Sequence, residues 1–391
     1  MKYGVGIDVS KGKSTVAILS INGEVIEMPF DINHDVEDLE KLDKKLQKFS
    51  KEDLKIVLEQ TGTYHLPILT YLLDKKYCVI AENALKIKKY LDRSLRKAKT
   101  DKKDSLKLAE YVCDNWYKLK VNFIEEEKYK ELRFLSRQYF SLNSMKVQQK
   151  VDFSDLTDML FPGYYQLLEE CNFVVGLKIF EKFSDPEIIR KKKLETFLND
   201  VEKIAQKIGQ QRAGRNLAIK VYELAKKSVP SCPSNSSTQL ILNKRVVALI
   251  NLIETTNEII AKMNEIAKSM DEYKEVRNMR GVGDRLAPLL IAEIGDIRRF
   301  KNAGSLIAYA GIDSPPYQSG KYEATNRHIS KRGNKYLRKT GFEVMQSIKS
   351  FCRVDCEVYD YIVKKEAEGK CKKSAKIAGL NKFLRQYYGI L

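Results

Sequence analysis

Four carboxylates are the residues of this chain whose types and positions could do chemistry. Asp8 closes the alternating run Tyr3-Gly4-Val5-Gly6-Ile7-Asp8-Val9-Ser10, and Glu59 closes the short apolar run Lys55-Ile56-Val57-Leu58-Glu59. Asp101 and Asp104 follow Thr100, a good helix N-cap, so both fall in a first helical turn, where i,i+3 spacing puts them on one face. Acids at a helix start satisfy the helix dipole without any ligand. A carboxylate on a mostly buried strand, by contrast, is costly unless it meets a cation or a donor. Four carboxylates at the ends of different elements can bind Mg²⁺, which takes a few carboxylates together with waters and substrate phosphates.

The elements that must position these acids can be read from periodicity. Beyond the turn Lys11-Gly12-Lys13, the run Ser14–Leu19 predicts a second strand and Glu24–Phe30 a third. Val36, Leu39, Leu42 and Leu46 carry helical spacing within Asp35–Phe49. A strand over Lys55–Glu59, a helix over Tyr64–Leu73 and a strand over Tyr77–Ala81 follow. Three antiparallel strands and then alternating helix and strand describe an α/β domain of ribonuclease-H-like topology. Open α/β sheets carry their sites at the carboxyl ends of strands, where Asp8 and Glu59 both lie.

The bulk numbers point to a polyanionic partner. The chain has 391 residues, enough for two or three domains, and a formal net charge of +18. No window holds the ~18 apolar residues of a membrane span, and Asp8 interrupts any signal-peptide reading. The seven scattered cysteines suit free thiols in a reducing compartment. Cys352 and Cys356 stand at i,i+4, but no nearby pair completes a zinc site. A cytoplasmic, nucleic-acid-binding protein is expected, with no membrane partner.

Residues 86–103 hold nine Lys and Arg, Lys97 and Lys99 among them, against two Asp. From Glu125 to Arg190 the pattern is helical, broken at Phe161-Pro162-Gly163 and Ser184-Asp185-Pro186. Leu194, Phe197, Val201, Ile204 and Ile208 step 3,4,3,4; after a loop, Val246, Leu249, Ile253, Thr256, Ile260, Met263, Ala267 and Met270 form a coiled-coil seam. These two helices could fold back on each other, pair with another protomer, or do both. Arg280-Gly281-Val282-Gly283-Asp284 looks like a helix-hairpin-helix turn, in which Gly281 and Gly283 let backbone amides approach a phosphate. A helix is predicted over Ala303–Ala310. Residues 321–391 hold 17 Lys and Arg against 7 Asp and Glu. There Arg327, Lys331, Arg332, Asn334 and Arg338 are candidate nucleic-acid contacts. Gln318-Ser319-Gly320 on its own reads as an ordinary turn.

Seven motifs occur in order: Gly6-Ile7-Asp8-Val9-Ser10, Glu59-Gln60-Thr61-Gly62, Lys99-Thr100-Asp101-Lys102-Lys103-Asp104, Gly281-Val282-Gly283, Ala308-Tyr309-Ala310-Gly311, Gln318-Ser319-Gly320 and Lys331-Arg332-Gly333-Asn334. Together they resemble the DEDD-type transposases of insertion sequences, the RNA-guided bridge recombinases related to pilin-gene invertases. The resemblance implies three domains: a Holliday-junction-resolvase-like domain (1–120), a helical coiled-coil middle (121–275) and a mainly α C-terminal transposase domain (276–391). It implies that Asp8, Glu59, Asp101 and Asp104 bind Mg²⁺ or Mn²⁺, and that Ser319 attacks DNA to form a covalent phosphoserine. It further implies double-stranded DNA as partner, a structured guide RNA, a homo-oligomer (dimer or tetramer) and a bacterial or archaeal, nucleoid-associated setting. Because the tetrad and Ser319 lie far apart in sequence, a composite site is expected, with halves from one protomer or two. Three other readings compete: a junction nuclease that uses water, an actin-like sugar kinase suggested by Gly-x-Asp at a hairpin, and a non-catalytic nucleic-acid scaffold.

Overall fold

A computed structural model describes the chain apart from residues 61, 92–99, 120–125, 171–172, 233–234, 316–317, 320–321 and 324–327, and apart from the side chains of 169–170, 211–213, 318–319 and 322–323. The chain forms two compact units, Met1–Ile124 and Glu125–Leu391. Among the described residues no helix is long and apolar enough to cross a membrane.

The first unit is a mixed sheet with helices on both faces. Its elements in order are β1 (Tyr3–Val9), β2 (Lys13–Ser20), β3 (Val25–Asn33), α1 (Val36–Leu46), β4 (Leu54–Glu59), α2 (Leu66–Asp74), β5 (Cys78–Glu82), α3 (Ala84–Leu91) and α4 (Asp101–Asp114). The sheet order is β3-β2-β1-β4-β5, with β1, β2 and β3 antiparallel and β4 and β5 parallel to β1. Strand alternation divides the side chains between the faces. Val5, Ile7, Ile56, Leu58 and Val79 pack with Leu39, Leu42, Leu46, Ile68 and Leu72 of α1 and α2. Val57 and Ile80, one residue out of phase, face Leu108, Tyr111 and Val112 of α4.

The second unit is almost wholly helical. It comprises α5 (Glu127–Leu160), α6 (Tyr164–Glu170), α7 (Phe173–Lys182), α8 (Pro186–Arg190), α9 (Leu194–Lys207), α10 (Gln211–Lys227), α11 (Ser236–Lys268), α12 (Tyr273–Asn278), α13 (Leu286–Ile294), α14 (Ala303–Ala310), α15 (Lys335–Phe351), α16 (Glu357–Ala367) and α17 (Lys372–Ile390). A short hairpin, β6 (Gln318–Ser319) with β7 (Tyr322–Glu323), interrupts the helices. The expected breaks near Pro162 and Pro186 fall between α5 and α6 and at the start of α8.

α5 and α11 run antiparallel. Lys128 Nζ donates to the Ser269 carbonyl at 3.2 Å, Lys146 Nζ to Thr256 Oγ1 at 3.1 Å, and Arg245 pairs with Asp152 at 2.7 Å. The predicted seam on α11 is therefore covered within the chain by α5. The helix at 194–207 takes α10 as its neighbour instead. Apolar cores occupy both ends of the α5–α11 pair. One gathers Phe153, Tyr164, Phe180, Phe197, Val221 and Leu249. The other gathers Leu132, Met263, Leu290, Leu306, Val344 and Phe383.

Candidate metal and nucleic-acid sites

Sheet register turns four isolated acids of the first unit into neighbours. Asp8 pairs with Thr15 across β1 and β2, and Thr15 pairs with Asp31 across β2 and β3. On the other side Ile7 pairs with Leu58, so Asp8 and Glu59 form the next rung, and Glu59 pairs with Glu82. Residues in lateral register share a face. The order Asp31, Thr15, Asp8, Glu59, Glu82 thus crosses all five strands on the α4 face, at the carboxyl ends of the parallel strands.

α4 closes over that row because β1 carries glycine where the helix crosses it. A Cβ on Gly6 would stand 2.3 Å from the Ser105 carbonyl oxygen and 2.3 Å from the Ala109 nitrogen; one on Gly4 would stand 2.9 Å from the Ala109 carbonyl oxygen. Two residues forward along β1 correspond to four residues back along α4. The next position on that face is Asp8, and four residues back from Ser105 is Asp101. The helix start is fixed by Thr100, whose Oγ1 accepts from the Lys103 amide at 3.3 Å. Asp104 is 9% exposed, Asp8 and Glu59 are half-buried and Asp101 is open to solvent.

The donors in this row are hard oxygens, without histidine or cysteine, which suits Mg²⁺ or Mn²⁺ over zinc. Among the described residues no three Asp, Glu, His or Cys side chains stand as a set able to hold a metal between them.

Two acids of the row are not visible from sequence. Glu82 accepts from Lys86 Nζ at 2.6 Å and from the Tyr111 hydroxyl at 2.9 Å, linking β5, α3 and α4 beside Glu59. Burial alone would pull the Lys86 ammonium down, but the bonds to Glu82 and Tyr111 together hold it above its ordinary value. Burial pushes the Tyr111 phenol up. Asp31 accepts from Thr15 Oγ1 at 2.7 Å, and this bond, with Lys13 and Lys102 nearby, keeps its carboxyl below the usual range. Glu82 ends its strand and Asp31 lies two residues before the end of β3; the register that joins them to the row is not readable from either strand alone.

In the second unit the motifs around 308–311 and 331–334 are laced together. Gly333 packs so closely on α14 that a Cβ would stand 2.2 Å from the Tyr309 carbonyl oxygen. The Asn334 amide donates to that oxygen at 2.7 Å, and the Lys331 amide donates to Gly311 at 3.0 Å. Ser330 Oγ donates to Asp313 at 2.5 Å. Gly311 to Ser330 is thus an excursion closed at its base, and β6, which carries the backbone of Ser319, lies on it. The Ser319 side chain, and Lys97, Lys99 and Arg327 entirely, lie outside the described residues.

The other expected nucleic-acid contacts divide. Lys331, with φ of 53°, and Arg332 are exposed. Arg338 is half-buried and donates to the Ala310 carbonyl at 2.9 Å. Asn334 caps α15, accepting from the Tyr336 and Leu337 amides, while its Nδ2 donates at 2.7 Å to Glu293. Glu293 is 0% exposed and also accepts from Ser136 Oγ at 2.7 Å and Arg137 at 2.8 Å. Gly281 has φ of 80° and packs against Ile348, whereas nothing stands within 4 Å of a Cβ placed on Gly283.

Residues 5–162 match a transposase family of the DEDD, IS110 type, and residues 273–359 match the family described as transposase IS116/IS110/IS902. Curated relatives agree. The chain is 21% identical over 372 residues to the insertion element IS116 uncharacterized 44.8 kDa protein of Streptomyces clavuligerus, covering 93% of this chain and 88% of the relative. It is 32% identical over 98 residues to the transposase for insertion sequence element IS1111A of Coxiella burnetii, covering 25% of this chain and 27% of that protein. The insertion element IS110 uncharacterized 43.6 kDa protein of Streptomyces coelicolor is 21% identical over 288 residues, covering 73% and 70%.

Proposed function

The chain belongs to the IS110 family of insertion-sequence transposases, and from that premise we propose that it cuts and rejoins DNA through a covalent phosphoserine. The first unit acts as a ribonuclease-H-like, junction-resolvase-like domain, a reading supported by its 3-2-1-4-5 strand order. The observation that supports the proposal is the close passage of α4 over Gly4 and Gly6, on the sheet face that carries Asp8 and Glu59, with the Asp101–Asp104 turn at the start of that helix. Asp8, Glu59, Asp101 and Asp104 are the carboxylates we assign to Mg²⁺ or Mn²⁺; since no three of them stand as a ready set in the described residues, substrate phosphates and waters would have to complete the site. Such an ion would neutralise charge on the phosphoryl oxygens during in-line displacement.

Ser319 is the nucleophile. Its Oγ forms a bond to phosphorus and loses its proton, while the bond from phosphorus to one deoxyribose oxygen breaks and that oxygen leaves as a hydroxyl. The phosphodiester energy is kept in the serine ester, so the reverse displacement can join a different DNA end. Lys331 and Arg332 neutralise phosphates beside the serine hairpin, as would Arg327, Lys97 and Lys99. Gly283, with open space above it, lets the backbone at the turn before α13 approach a phosphate in the helix-hairpin-helix manner. A structured guide RNA selects the target, and the protein works as a homo-oligomer. The family assignment sets aside the kinase reading of Gly6-Ile7-Asp8.

The test is capture of a covalent adduct on nicked element-end DNA with Mg²⁺. The parent protein is expected to form a denaturant-resistant protein–DNA species, and Ser319→Ala and Asp8→Asn to form none. Cleaved DNA without an adduct from the parent protein would mean that water is the nucleophile. An adduct from Ser319→Ala would move the nucleophile to another residue.

A further inference from the structure

We propose that the groove between α5 and the start of α15 binds the phosphodiester backbone of duplex DNA, with Lys335 and Lys339 meeting neighbouring phosphates of one strand. The groove has a volume of about 510 Å³ and is lined by Ser141, Ser144 and Met145 from α5 and by Lys335, Tyr336 and Lys339 from α15. Its charged lining is entirely cationic, and its serines offer hydroxyls to phosphate or sugar oxygens.

Lys335 and Lys339 stand one helical turn apart, and like charges at that spacing repel. Cations that touch the same walls have partners: Arg137 pairs with Glu293, and Arg285, bonded to Tyr139, pairs with Glu343 at 2.7 Å. Among the described residues no carboxylate lies within ion-pair reach of Lys335 or Lys339. A polyanion in the groove would relieve their repulsion. Aromatic rings aim both side chains: Lys335 Nζ lies 5.0 Å from the Tyr336 centroid and Lys339 Nζ 5.1 Å from that of Phe140. Lys331 and Arg332, just before α15 in the chain, are exposed.

The walls are held at a fixed separation. The Arg137 guanidinium stacks 3.8 Å from the Tyr336 centroid while pairing with buried Glu293. Ser136 and Asn334 bond to the same carboxylate from the two sides. The Asn334 side chain already satisfies the first amides of α15, so a phosphate here meets side chains and not a bare helix end. Duplex DNA is favoured over a small anion because Lys335 and Lys339 are spaced one turn apart along a helix, as successive phosphates are along a strand.

The experiment reads binding of the full-length protein to a labelled duplex of arbitrary sequence by fluorescence anisotropy. EDTA is present and salt is varied, so the result does not depend on the metal or on Ser319. Each lost phosphate contact lowers the slope of log K against log salt by about 0.9. Lys335→Ala/Lys339→Ala is expected to lower it by about 1.8, and the exposed pair Lys372→Ala/Lys373→Ala to leave it unchanged. Ser144→Trp fills the groove without altering charge and is expected to weaken binding by blocking the same contacts. Equal slope losses in the two lysine pairs would reduce the effect to net charge and overturn the proposal. So would unchanged binding by Ser144→Trp, or a loss confined to an RNA of the same sequence.

Discussion

Gly6 is the residue on which the carboxylate row most depends. Its missing side chain lets the backbone of α4 reach the sheet, and the contacts it would otherwise make are to backbone atoms of Ser105 and Ala109, which cannot rotate away. Gly6→Ala forces α4 off β1 and carries the Asp101–Asp104 turn away from Asp8. Overpacking of this kind costs about 1–3 kcal/mol. The variant is expected to remain folded in circular dichroism, to lose midpoint stability in urea and to lose strand cleavage out of proportion to DNA binding. Cleavage that survives with stability reduced would separate the close packing from the chemistry. Asp8 and the cap at Thr100 are legible in sequence because each is a local signal: an acid ending an apolar strand, and a hydroxyl preceding a helix. Asp31 and Glu82 are not, because what makes them part of the row is lateral register, a relation between strands that no single strand encodes.

At the scale of elements, the seam on α11 is legible and its partner is not. Val246, Leu249, Thr256, Met263 and Ala267 are buried, whereas Ile253 and Ile260 of the same pattern are half-buried. α5, which covers them, shows little periodicity of its own, because its middle turns carry Asn143, Lys146, Gln148, Gln149 and Lys150. Its role is set by contacts more than a hundred residues away, such as Lys146 to Thr256. Glu293 shows the same limit. In sequence it is an interruption in the apolar run Leu286–Ile294, and in the fold it joins α5, α13 and the cap of α15. Removing one partner of a buried pair costs about 3–5 kcal/mol; Arg137 is 38% exposed and water can reach it, which favours the lower end. Glu293→Ala is therefore expected to cost about 3 kcal/mol, read as faster hydrogen exchange in α13 and the first turns of α15. Adding Arg137→Ala should cost little more, since its carboxylate is already gone. Strictly additive losses would show that the two residues act independently.

At the scale of the whole molecule, the two family matches and the two cores of the second unit do not coincide. The matches cover 5–162 and 273–359, whereas the core around Phe180 is built mainly from residues between them. That core and the one around Leu290 are connected through α5 and α11, and the middle of α5 leaves Met145, Val147 and Val151 exposed. The two apolar clusters are distinct, and local opening of one need not open the other. Phe180 is fully buried, with its ring 4.6 Å from Tyr164 and 5.4 Å from Phe153, and Phe→Ala at such a site costs about 3–5 kcal/mol. Phe180→Ala is expected to accelerate amide exchange across α7, α9 and α10 while α13 and α15 keep their protection. The salt slope for duplex binding should stay at the parent value, because Lys335 and Lys339 lie on α15, which packs in the other core. If α13 exchanges faster by the same factor, the two cores unfold as one cooperative body. The α5–α11 pair would then be a rigid strut that transmits the loss, and the groove beside α15 would depend on a core that touches none of its lining.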